Sequence, residues 1–419
     1  MRIRTVIATL ILGAATVFGT AGTAAADIPT GVPDALSPEP LDRGALIAMP
    51  AVWQVQVTTR MQALRTKDGT VVRLPPAARE VSREGTAFAV TPNGYLATAA
   101  HVIQPSADDL SEVAYFTYLA VSGKPHSAEV AARWVEENEP VPVGLEPLQR
   151  VVRPAAAGAA AKVDRGLVPE VVETDELRDI AVLRVAGQRN APSLSLDRGL
   201  DTGTPIATLG YGSENPFATP PHGAMVPSVR LGTIGRTGPL EDEPLRILTF
   251  ITNEVQKGDS GGPAVDRNGR VRGIVLIKRA AGGGAMAPTE QLLRVLGRAN
   301  VRGWEGRTQL TYREALDRLS RFDLDGARAD LRRTLASYPG HGFAGYEIAR
   351  IGDLREARLA LAGEPWYRGG LVAAGITALL IAAVLAVLLW KAVNRAPGVL
   401  GPRDRKAPFD QDTDSRDDP

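Results

Sequence analysis

The sequence predicts a mainly β domain, followed by a short α-helical segment and one membrane-crossing helix. Three observations carry that prediction. Short apolar runs leave turn signals along the N-terminal portion: Gly94 to Ala100 follows the Pro92-Asn93-Gly94 turn, and Ile180-Ala-Val-Leu183 has strand length. From Thr308 to Ala362, Tyr312, Ala315, Leu316, Leu319 and Phe322 recur at helical spacing. Leu371 to Trp390 is a run of 20 residues without a charge. At ~1.5 Å per residue it spans ~30 Å, the hydrocarbon thickness of a bilayer.

Taken in order, the chain opens on Arg2 and Arg4, then a mostly apolar Val6 to Phe18, then Ala24-Ala25-Ala26 before Asp27. That is the layout of a secretory signal peptide over residues 1–26, with an uncleaved anchor as the alternative. The proline-rich stretch from Ile28 to Pro50 reads as a disordered leader without fold. A globular domain is expected over 51–303, with an Ala/Pro-rich surface loop around Pro140 to Gly166. Over 308–362, Asp323 to Leu331 and Asp353 to Leu361 echo one another, and Tyr338-Pro-Gly-His341 breaks the helices between them. Either a shortened tetratricopeptide repeat or a plain helical stalk fits, with Asp353 and Glu356 as the capping box of the last helix. Trp366, Tyr367 and Trp390 suit the interfacial belts, and Lys391, Arg395, Arg403, Arg405 and Lys406 favour a cytoplasmic tail over 391–419.

Chemistry concentrates at three places. In Lys257-Gly-Asp-Ser-Gly-Gly-Pro263 the glycines permit a tight turn around Ser260 that side chains would obstruct. Such a turn can aim the N–H groups of Gly258 and Ser260 at one point, as stabilisation of an oxyanion requires. A serine hydroxyl is a weak nucleophile and needs a base. Of the four histidines, His101 ends the apolar strand from Gly94, whereas His126, His222 and His341 sit among prolines or glycines. Asp179 leads directly into Ile180 to Leu183, where a shielded carboxylate can orient an imidazole. Asp175 and Asp164 are rivals without an apolar run behind them, and Asp108 and Asp109 lie too close to His101.

These residues carry a resemblance. Gly85 to His101, Thr204 to Gly212, Val229 to Arg236, Thr252 to Gly262 and Gly273 to Glu290 resemble trypsin-like serine proteases of the chymotrypsin-fold superfamily, closest to the HtrA/Deg branch. The resemblance covers roughly residues 50 to 300. It implies two six-stranded antiparallel β-barrels with the site in the cleft between them. It further implies His101, Asp179 and Ser260 as catalytic triad, Gly258 and Ser260 as oxyanion hole, and peptides or proteins as substrates. Glu254 stands six residues before the nucleophile, where trypsins carry the acid that selects Arg or Lys, and a solvated loop glutamate is the alternative. The chain departs from the family by lacking an Ile-Val-Gly-Gly activation site and a PDZ-like segment after the protease region.

Composition narrows the rest. The 48 basic and 47 acidic residues nearly cancel, so nothing argues for nucleic acid. Without cysteine there are no disulfides and no thiolate chemistry, and neither a metal nor an organic cofactor is expected. The sequence therefore points to a membrane-anchored serine endopeptidase working outside the cytoplasm, touching the bilayer through Leu371 to Trp390. The alternative is a catalytically silent protein on the same scaffold, whose helical segment holds a protein partner.

Overall fold

The computed structural model describes residues 39–157, 166–212, 226–240, 246–279, 282–363 and 384–385. The chain divides into two compact units, residues 1–354 and 355–419.

The first unit is built on two antiparallel β systems. Strands β1 (Val52–Arg60), β4 (Glu80–Ala89), β5 (Tyr95–Thr98), β7 (Gln149–Pro154), β8 (Glu170–Asp175) and β9 (Ile180–Arg184) form a six-stranded sheet in the order β7-β1-β4-β5-β9-β8. In β1, buried Val55 and Val57 alternate with half-buried Gln56 and Thr58, the period of a strand with one face on a core. The second system is a closed barrel of β10 (Pro205–Gly210), β11 (Ser228–Pro239), β12 (Ile247–Ile251), β13 (Pro263–Val265), β14 (Val271–Lys278) and β15 (Gly284–Pro288). It closes where β13 pairs back onto β10 through Ala207–Val265 and Thr208–Ala264.

The expectation of two six-stranded barrels is thus corrected for the first of them. Its six strands form a sheet in which, among the described residues, the two edges are linked through an isolated antiparallel bridge between Val152 and Leu167. The surface loop expected at Pro140 to Gly166 is also corrected, because β6 (Val141–Val143) and β7 lie within it, and β7 pairs with β1 from Trp53 to Thr58. The extra length between His101 and Asp179 instead goes largely into helices α3 (Ala107–Val121) and α4 (Ala128–Asn138). Ser106 and Asp109 cap α3 reciprocally. Here Tyr115 stacks on Trp134 with ring centroids 3.8 Å apart. Below them, β2 (Ala63–Arg65), β3 (Val71–Arg73) and β6 make a small sheet. Met61, Leu64, Leu74, Val81, Leu110 and Val113 give this insertion a core of its own.

Two further expectations change. The leader is not wholly without fold: Pro40–Ala48 is helix α1, with Ala45, Leu46, Ile47 and Ala48 buried. The helix lies so close to the turn after β13 that a Cβ on Gly44 would stand 2.3 Å from the Asp266 carbonyl. Gln309 donates to the Ile47 carbonyl, and Arg43 pairs with Asp317. The helical segment is not a free stalk either. After α2 (Ala100–Ile103), the helices α5 (Thr289–Arg298), α6 (Arg307–Ser320) and α7 (Leu324–Ser337) follow the barrel. Tyr312, Leu316, Leu331 and Phe343 belong to the same buried cluster as Trp53 and Phe88 of the first sheet. Tyr338 donates to Gln188 at 2.9 Å.

The internal echo does not give two equivalent helix starts. Asp323 caps α7, accepting from Gly326 N at 3.0 Å. Asp353 lies inside α8 (Ala344–Gly363), so it heads no capping box. The start of α8 is held by His341 instead, whose Nδ1 accepts from Ala344 N at 3.1 Å.

Among the described residues, no helix is long and apolar enough to cross a membrane. The expected signal peptide, most of the span Leu371 to Trp390 and the tail lie outside the described residues. If α1 is part of the core, Ile47→Ala removes a buried side chain and leaves a cavity. Urea unfolding is expected to show a loss of about 2–4 kcal/mol; an unchanged midpoint would return α1 to the status of a loose leader.

Candidate active site

Three local structures deliver the chemistry. Strand β5 ends at Thr98, and the short helix α2 carries His101. The tight connection from β8 to β9 ends on Asp179, which adopts φ +55°, a left-handed conformation uncommon outside glycine. Its backbone N–H closes that turn onto the Glu176 carbonyl at 3.2 Å. Strained backbone of this kind persists where surroundings over-determine it. Here they do: Ala100 N donates to the Asp179 carbonyl, and His101 N donates to Asp179 Oδ1 at 2.9 Å.

The His101 and Asp179 side chains meet directly, with Nδ1 2.7 Å from Oδ2. Nε2 is then the ring nitrogen that this contact leaves available, and the His101 side chain is 34% exposed. Arg246, just ahead of β12, places Nη2 2.5 Å from the same Asp179 oxygen. Burial works against the Asp179 charge, but the hydrogen bonds and charge of His101, with Arg246 behind them, outweigh it and hold the carboxyl below its ordinary range. The rival Asp175 is turned elsewhere, paired with Arg178 at 2.8 Å and Arg298 at 2.7 Å. Asp109 is occupied by the α3 cap and Arg83, and Asp164 lies outside the described residues.

Ser260 arrives from the other β system on the turn between β12 and β13. Asp259 N donates to the Gln256 carbonyl, closing a four-residue turn in which Gly258 takes φ +103°. A positive φ at the third residue of such a turn is the province of glycine. The backbone N–H groups of Gly258 and Ser260 have no protein acceptor among the described residues. The turn is held against the first sheet. Thr86 N donates to the Ser260 carbonyl at 2.9 Å, and Thr86 Oγ1 donates to the Gly258 carbonyl at 2.7 Å. The Ser260 hydroxyl donates to the Leu276 carbonyl at 3.0 Å. No hydrogen bond joins it to His101 among the described residues.

Glu254 does not fit the half-buried acid of a basic-selective pocket. Its side chain is exposed on the segment leading to the turn, where water screens a charge pair. Of the other histidines, His126 is exposed and His341 is buried beneath the Tyr312 ring, where desolvation lowers its pKa to about 3. His222 lies outside the described residues. Among the described residues no cluster of His, Asp or Glu is arranged to hold a metal ion.

Sequence reasoning missed Thr86, Arg246 and Arg230. Thr86 stands in the Gly85 to His101 stretch that carries the resemblance, which marks its position but not its role. Arg230 likewise stands in the Val229 to Arg236 stretch and Arg246 in none of them, but for both what matters is the carboxylate met across the fold.

Residues 85–274 match the trypsin-like peptidase domain. The serine proteases Rv3671c and MT3772 of two Mycobacterium tuberculosis strains are each 34% identical over 114 residues, 27% of this chain and 28% of theirs. The chain thus spans little more than a quarter of the length of the curated relatives it matches. Among solved structures, an HtrA-type protease, AlgW with a decapeptide, aligns over 62% of this chain and 66% of its own at 22% identity and a TM-score of 0.39. The active form of Rv3671c from M. tuberculosis aligns over 64% and 90% at 20% identity and a TM-score of 0.38.

The lowered Asp179 pKa has a thermodynamic consequence. A carboxyl whose folded pKa is depressed stabilises the fold above its unfolded value of about 3.9, and that contribution disappears as pH falls through the folded value. Unfolding free energies of wild type and Asp179→Asn should therefore differ at pH 7 and converge as pH falls below about 3.9 through the folded value. A difference independent of pH would remove the charge from the account.

Proposed function

Because residues 85–274 match the trypsin-like peptidase domain, we propose that this chain is a serine endopeptidase. The observation that carries the reading is the contact of His101 Nδ1 with the buried Asp179 carboxylate, beside a glycine turn that bears Ser260 and two N–H groups without a protein acceptor among the described residues. Asp179 fixes the imidazole with Nε2 toward the cleft. Ser260 rotates about χ1 from the Leu276 carbonyl toward that nitrogen and attacks a peptide carbonyl, while His101 takes its proton. The negative oxygen that forms is received by the N–H groups of Gly258 and Ser260. His101 then protonates the leaving amine, and water releases the acyl group from Ser260. Apo sites commonly hold such hydrogen bonds loose until substrate arrives.

The likeness to HtrA-type proteases found in the motifs fits this reading, and substrates are extended peptide segments of proteins. We place the catalytic domain outside the cytoplasm, tethered through Leu371 to Trp390. What supports that is the uncharged 20-residue run, the basic residues after it and the signal-like N-terminus.

Ser260→Ala should abolish hydrolysis of an unstructured protein substrate and leave the circular dichroism spectrum unchanged. Asp179→Asn should slow turnover by roughly 10⁴-fold, whereas Asp175→Asn should cost little in turnover. A crippled Asp175→Asn beside a mild Asp179→Asn would move the orienting role to the other carboxylate.

The topology is checked on spheroplasts. Added protease should digest the catalytic domain and spare a tag placed after Pro419. A protected catalytic domain would reverse the orientation.

A further inference from the structure

The carboxylate next to the nucleophile has no role in the chemistry above, yet it is the most enclosed charged group of the turn. The Asp259 side chain is 5% exposed. Its Oδ1 accepts from Gly212 N at 2.8 Å, and Oδ2 accepts from Gln256 N at 2.9 Å. Room for it is made by omitted side chains: a Cβ on Gly212 would stand 2.4 Å from Asp259 Oδ1, and one on Gly210 2.6 Å away. A buried carboxylate needs a compensating cation. Arg230 supplies one from β11, with Nη1 3.4 Å from Asp259 Oδ2 and a side chain only 19% exposed.

The same guanidinium reaches further. Arg230 Nη2 donates to Gln256 Oε1, and Nη1 donates to Ser228 Oγ at 3.2 Å. Gln256 and Asp259 are the first and last residues of the turn that contains Gly258, so one side chain braces both of its ends. Arg230 is itself fixed. Its residue pairs with Thr208 across β10 and β11, and its carbonyl accepts from the fully buried Asn253 at 2.8 Å.

We infer that Arg230 is a positioning residue for the oxyanion turn, holding Gln256 and Asp259 so that Gly258 and Ser260 present their N–H groups to the reacting carbonyl. The inference rests on the peptidase reading and deepens it. The cation comes from the barrel itself, so the turn is set when the second β system folds. Without the guanidinium, Asp259 either takes a proton or swings toward water. Either change gives up an acceptor that Gly212 and Gln256 use, and the turn is no longer held at Gly258. A planar fork that bridges two acceptors is what arginine offers and lysine offers only in part.

The test uses the full chain in detergent, reacted with a fluorophosphonate. The maximal phosphonylation rate, kinact, and the half-saturating concentration, KI, are measured per reactive site, beside the melting temperature. Arg230→Gln should lower kinact about 100-fold, the scale of losing one oxyanion donor, and leave KI close to wild type. Arg230→Lys should recover part of that loss. A merely structural role would lower the melting temperature and the reactive fraction without changing kinact per site. Wild-type kinact in a folded Arg230→Gln chain overturns the inference while the peptidase reading stands. Should Arg230→Gln not fold, Gln256→Ala removes only the bridged amide; a reduced kinact supports the inference and an unchanged one overturns it. A wild-type chain that does not react overturns the peptidase reading, and this inference with it.

Discussion

Gly261 stands where no side chain fits. A Cβ there would lie 2.1 Å from the Thr86 carbonyl and 2.3 Å from Thr98 Oγ1, so the Ser260 turn touches the first sheet backbone to backbone. Thr86 makes that contact specific. Its N–H holds Ser260, and its hydroxyl sits between the Gly258 carbonyl and Tyr211 N, 3.0 Å away. His101 and Asp179 belong to the first sheet, Ser260 to the barrel. The candidate site exists only because this junction is close, and a bulky residue at Gly261 or a lost hydroxyl at Thr86 would separate His101 from Ser260 before touching either. Strand packing and chemistry meet at one threonine and one glycine.

Charge follows the same architecture. Two buried carboxylates flank the site, and both take an arginine from the barrel: Asp179 from Arg246, Asp259 from Arg230. The balance differs. At Asp179 two hydrogen bonds from His101, its charge and Arg246 outweigh desolvation, and the pKa falls. At Asp259 burial wins over Gln256, Arg230 and Gly212, and the pKa rises. The first carboxylate is suited to remain an anion against an imidazole. The second depends on its brace to remain charged, and Glu254 nearby works against it. The Arg246 contact also crosses from one β system to the other, so it ties Asp179 to the barrel that carries Ser260.

Local signals in the chain made much of this legible. The Pro-Asn-Gly turn and the apolar strand after it placed His101 at a strand end, and the apolar run behind Asp179 singled it out from Asp175. Glycine spacing around Ser260 gave the turn. What stayed illegible was set by partners far away in sequence. Closure of the first sheet depends on whether β7 and the residues before β8 meet along a ladder, and among the described residues they meet at an isolated bridge. The Gly-Ala-Leu-Ile-Ala run of α1 is short and follows prolines, so its apolar face had meaning only once the barrel turn and α6 were there to cover it. Asp353 had the residues of a cap but sits within a helix that His341 had already started. Glu254 shared a position with a familiar pocket acid and not its burial.

The central claim is that this junction makes Ser260 the one activated hydroxyl of the chain. Peptide mapping of the folded protein after reaction with a fluorophosphonate tests it most directly. The account predicts a single adduct, on the peptide that contains Ser260. An unmodified Ser260 in a folded chain, or adducts spread evenly over other serines, would contradict it.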